Sequence, residues 1–101
     1  MTTVSEKIAR ETPSDTTAPD AISDLAEVSK TATTITMDWT AATGATGYKV
    51  YRGASMVENT TSTTYTDTGL TTATEYSYTV KSYDAAGNKS AASNTLTVTT
   101  S

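Results

Sequence analysis

The chain has 101 residues, 36% of them hydrophobic, with 11 acidic residues against 7 basic. That is one domain with one core, and its net charge of −4 disfavours nucleic acid and anionic membrane as partners, because phosphate calls for a basic stripe. Cysteine and histidine are both absent, which removes disulfides and thiolate nucleophiles, leaves a zinc site without its usual ligands and takes away the usual general base.

Residues 1–12 differ from the rest. Thr3 and Glu6 have capping-box spacing, Val4 and Ile8 lie four apart, and Pro13 would end the helix they predict. A helix this short is marginal alone, so residues 1–18 are read as an arm or linker, in part helical, that could order on a partner. Residues 1–20 carry no apolar run of the kind a signal peptide needs, and no segment reaches the length of a membrane span. The domain proper is placed at residues 19–101. Its first strand is irregular, marked by Ile22, Leu25 and Val28, with Pro19 suited to an edge.

Thr33 to Thr40 alternates, with Ile35, Met37 and Trp39 on one face and threonines and Asp38 on the other. A loop of small residues, 41–47, leads to a strand in which Tyr48 and Val50 point inward and Lys49 and Tyr51 outward. Arg52-Gly53 turns the chain, Met56-Val57 makes a short strand, and Glu58-Asn59 is expected to turn again. Thr63 to Asp67 is the next strand, with Tyr65 inward. The longest alternating run follows Leu70: Tyr76, Tyr78, Val80 and Ser82 on one face, Ser77, Thr79 and Lys81 on the other. It is read as the central strand, half in the core and half in water. Residues 84–90 form a turn-rich loop, and Leu96 and Val98 point inward from the last strand. About seven short strands at this spacing predict an all-β sandwich.

The ordered set of these residues resembles a fibronectin type III domain of the bacterial kind. Trp39, Tyr48-Lys49-Val50-Tyr51, Asp67-Thr68-Gly69-Leu70, Tyr83-Asp84-Ala85-Ala86-Gly87-Asn88 and Asn94-Thr95-Leu96-Thr97-Val98 carry the resemblance. Tyr76 stands six residues after Leu70, where the family has its tyrosine corner. Ala42 and Thr72 depart from the pattern, standing near places where the family often has proline. The resemblance implies a seven-stranded immunoglobulin-like sandwich with Trp39, Tyr48, Leu70 and Tyr76 as structural core.

The residues offer little chemistry. No serine has an evident base beside it, and no glycine-rich phosphate loop precedes a helix. Asp84 and Asn88 could share a calcium ion, but such an ion wants six to eight oxygens, and the pair fits a turn cap better. Asp67 ahead of Gly69 reads in the same way. No catalytic residue, metal or cofactor is therefore expected. The candidate binding surface is Lys49, Tyr51, Lys81 and Tyr83, on the outer faces of two strands that the resemblance makes neighbours. Tyrosine there could stack on a sugar or anchor a protein, although half-exposed tyrosine and lysine stems also simply cover sheet surfaces. Three functions follow. The first is a non-catalytic spacer or interaction module of an extracellular bacterial protein, such as a polysaccharide-degrading one, whose partners are its other domains. The second is a phage virion accessory protein docked through its arm on other virion proteins. The third is a weak carbohydrate-binding module.

Overall fold

The structure, a computed structural model, describes residues 17–101, so the helix expected ahead of Pro13 lies outside the described residues. Seven strands follow: β1 (Ala26–Lys30), β2 (Ile35–Asp38), β3 (Gly47–Arg52), β4 (Ser55–Thr60), β5 (Thr64–Asp67), β6 (Glu75–Tyr83) and β7 (Leu96–Thr99). They form two antiparallel sheets, β1-β2-β5 and β4-β3-β6-β7. The β6 strand is the longest, at nine residues, and is bonded on both sides, as its alternation predicts.

The core lies between the sheets because the inward positions of both are apolar. Ile35, Met37, Val50, Tyr78 and Val80 are fully buried, and Trp39, Tyr48, Leu70 and Val98 nearly so. Tyr65, Tyr76 and Leu96 pack against this cluster from its margin. Trp39 meets Tyr48 edge to face, with ring centroids 5.6 Å apart, a geometry favoured by the ring quadrupoles.

Two local expectations are corrected. The first strand does not run from Ile22 through Val28: it begins at Ala26, and a slip in its pairing with β2 between Glu27 and Ser29 leaves Val28 56% exposed. Ile22 and Leu25 enter the core from the segment ahead of β1. Glu58-Asn59 does not turn the chain. Both residues stay in β4, paired to Val50 and Lys49, and the bend falls at residues 61–63. The polar pair is tolerated because β4 is an edge strand, bonded on one side only.

The two ends of the described chain lie at opposite poles of the sandwich. Asp20 donates its N–H to the Thr43 carbonyl at 3.2 Å, in the β2–β3 loop, and its carbonyl accepts the Ser82 hydroxyl at 2.7 Å. Ser101 instead bonds to Thr31 and Ala73, in the β1–β2 and β5–β6 loops. Those loops close the other end of the strands.

Candidate functional site

The side chains at alternate positions of β3 and β6 make one outer face. Register places Lys49 directly opposite Lys81, Gly47 opposite Tyr83, and Tyr51 opposite Thr79. Like charges opposed across a ladder repel, and both lysines lean diagonally away. The Lys49 ammonium lies 4.9 Å from the centre of the Tyr83 ring, and the Lys81 ammonium 5.6 Å from that of Tyr51. Each is a cation–π contact worth about 0.5–1 kcal/mol at an exposed site. Tyr83 is further fixed by Asn59, whose Oδ1 accepts the phenol proton at 2.8 Å. Its ring also lies over Gly47, where a Cβ would come within 2.3 Å of the Tyr83 oxygen. The structure thus brings Lys49, Tyr51, Lys81 and Tyr83 together, and adds Gly47, Asn59 and the 51%-exposed Met56, which pairs with Tyr51. Those three were not legible beforehand, since their place beside the tyrosines depends on strand register.

A second polar cluster joins the sheets. Asp67, at the end of β5, is buried, and its carboxylate accepts from Arg52 Nη1 at 2.6 Å, the Tyr78 hydroxyl at 2.8 Å and the Tyr65 hydroxyl at 3.3 Å. It is no turn cap: its oxygens face Arg52 of β3 and Tyr78 of β6. The charge-assisted bond to Asp67 raises the Arg52 pKa. Burial, then the bond to Asp67, pushes the Tyr78 phenol well above its usual value; burial and the negative Asp67 raise Tyr65 as well. Three donors converge on one carboxylate, which ties the cluster to holding the sheets together.

Asp84 does cap a turn. Its Oδ1 accepts from the N–H groups of Ala86 and Asn88 at 3.0 and 2.9 Å, and its Oδ2 from the Asn88 side-chain amide at 3.0 Å. Among the described residues no group of three acidic side chains is placed to hold a metal ion. A surface groove of about 320 Å³, open to solvent, is lined by residues 20–24 and 40–43. Asp24 lies in it, its pKa lowered by hydrogen bonds from the Thr40 hydroxyl and backbone.

The core residues singled out from the sequence each have a defined role. The Tyr76 hydroxyl accepts the Thr71 N–H at 2.9 Å, which is the geometry of a tyrosine corner. The Tyr48 hydroxyl accepts the Ala42 N–H at 3.0 Å and pins the β2–β3 loop. The Leu70 N–H donates to the Thr33 carbonyl at 2.9 Å, joining two loops at one pole. Trp39, just past the end of β2, is buried edge to face against Tyr48, and its indole N–H has no acceptor among the described residues.

A sandwich of three strands against four, closed by a tyrosine corner around one tryptophan, defines an immunoglobulin-like module. The chain belongs to the fibronectin type III family: the model of the fibronectin type III domain matches residues 20–99. Exoglucanase B of Cellulomonas fimi is 50% identical over 98% of this chain and 10% of its own length. Chitinase A1 of Niallia circulans is 48% identical over 87% of this chain and 13% of its own. Among solved structures, chitinase ChiA74 from Bacillus thuringiensis superposes with a TM-score of 0.78 at 30% identity, over 92% of this chain and 14% of that one. The chain therefore spans little more than a tenth of the curated relatives named here.

Proposed function

We propose that this domain is a non-catalytic spacer within an extracellular bacterial protein that degrades a polysaccharide. The carrying observation is polar: the chain enters the sandwich beside the β2–β3 loop and leaves it beside the β1–β2 and β5–β6 loops, at the far end of the strands. Neighbours joined at these points are held apart by about one strand length. For the nine residues of β6 that is roughly 30 Å at about 3.3 Å each. A flexible linker has no such floor, because its ends fluctuate around a random-coil mean. The named relatives, an exoglucanase and two chitinases, each carry a matching segment as a small fraction of their length, which favours this reading over a virion accessory protein.

A carbohydrate-binding role for Tyr51 and Tyr83 has less support. Tyr83 lies over Gly47, and Lys49 lies over its ring, so a sugar would have to displace the lysine before stacking. The spacer reading is tested by placing the domain between two fluorescently labelled reporter domains and comparing it with a glycine-serine linker of equal residue number. A narrow distance distribution with the domain and a broad one with the linker is expected. Equal breadth in the two would overturn the reading.

A further inference from the structure

We propose that the outer face of β3 and β6 is a docking surface for an acidic protein segment, held by the Lys49 and Lys81 ammonium groups. Three observations carry this. The two lysines are directly opposed in register, and neither has a carboxylate at ion-pair distance among the described residues. Like charges on opposed residues repel, so the two ammonium groups lean apart toward Tyr83 and Tyr51, and carboxylates of a bound segment, one at each ammonium, reverse the sign of that interaction. Each ammonium is held over a tyrosine ring, and Tyr83 is itself immobilised by Asn59 and by the gap above Gly47. The lysines are therefore partly ordered before any partner arrives, which lowers the entropy cost of binding.

The chain carries a net charge of −4, yet the face between the two tyrosines bears two positive charges. Glu75 shares this side of β6, but it lies six residues from Lys81, about 20 Å along the strand. Charge complementarity therefore selects an anionic occupant, and the rest of the patch selects protein. Met56 is 51% exposed and stands opposite Tyr51, and methionine and tyrosine are enriched at protein interfaces. A sugar polymer needs free ring faces and many hydrogen-bonding groups, whereas here lysine covers the rings and the Tyr83 hydroxyl already bonds to Asn59. The proposal stands or falls separately from the spacer reading.

The test is a nuclear magnetic resonance titration of the 17–101 domain, alone and attached to its arm, with an octaglutamate peptide in low salt. Amide shifts are expected to cluster at Lys49, Tyr51, Lys81 and Tyr83 and to shrink at physiological salt. The double variant Lys49→Gln, Lys81→Gln removes both charges while keeping the first two methylenes of each stem on the sheet, and should weaken binding about tenfold or more. Tyr83→Ala leaves the charge but frees Lys49, and should weaken binding several-fold; Lys30→Gln with Lys89→Gln should leave it unchanged. Shifts spread evenly over all lysines, or none, would overturn the proposal. So would shifts produced by trigalacturonate and not by octaglutamate, which would assign the face to an acidic polysaccharide.

Discussion

Asp67 shows how much one side chain decides. Its sequence neighbours, Thr68 and Gly69, suggest a turn cap, and Gly69 does take a positive φ of 69°. The carboxylate nevertheless points between the sheets, because Arg52, Tyr65 and Tyr78 offer it three donors. Asp67→Ala leaves the buried Tyr78 hydroxyl without its acceptor, while the Arg52 guanidinium, about a third exposed, is partly taken over by water. The expected loss is about 2–3 kcal/mol by urea denaturation. The phenols give a pH signature. Their pKa values are raised in the fold, so the stabilisation they confer is complete below the ordinary tyrosine value of 10.0 and is lost as pH climbs through the raised values. Thermal stability should fall in that alkaline window, and Tyr78→Phe should remove the last step of the absorbance titration at 295 nm.

At the scale of the element, β6 carries the four-stranded sheet, and its upper half is completed by two serines rather than by a strand. The Ser93 N–H donates to the Val80 carbonyl at 2.9 Å, while the Val80 N–H donates back to the Ser93 hydroxyl oxygen at 2.9 Å. Ser90 treats Ser82 in the same way, at 2.8 and 3.0 Å. Each serine thus supplies one backbone and one side-chain partner where a regular ladder would supply two backbone groups. Ser93→Ala leaves the Val80 N–H buried without an acceptor and should cost about 1–3 kcal/mol, with faster hydrogen exchange at Val80 as the local readout. Asn94 acts across the sheets: its Oδ1 accepts the Leu25 N–H and its amide donates to the Leu25 carbonyl, both at 3.0 Å. Asn94→Asp keeps the acceptor and sets a negative charge against that carbonyl. The Leu25 amide should then lose hydrogen-exchange protection, at a cost of about 1–2 kcal/mol. The alternation of β6 was plain from Tyr76 to Ser82. The serine substitutions were not, since nothing in Ser90 or Ser93 tells which carbonyl lies across from it.

Over the whole molecule, stability rests on one core of buried side chains that includes the single indole, Trp39. Trp39 is 5% exposed, so Trp39→Ala should cost about 3–5 kcal/mol, and the native fluorescence should be blue-shifted and move red on unfolding. The placement of the ends at opposite poles converts that stability into reach, because a sandwich that stays folded keeps its neighbours a strand length apart. A domain weakened by Trp39→Ala should accordingly broaden the interdomain distances in the reporter fusion described above.

Residue order alone was enough to specify a sandwich of about seven strands and the inward faces of β2, β3, β6 and β7. A period of two is a local property, and local order of bulky and polar side chains is enough to set it. Which residues oppose one another depends on how the strands pair. Register made a pair of Lys49 and Lys81, laid Tyr83 over Gly47, drew Asp67 to Arg52 and Tyr78, and sent Val28 outward through a bulge. Those contacts join residues far apart in the chain, and strand pairing, which no single segment encodes, is what sets them face to face.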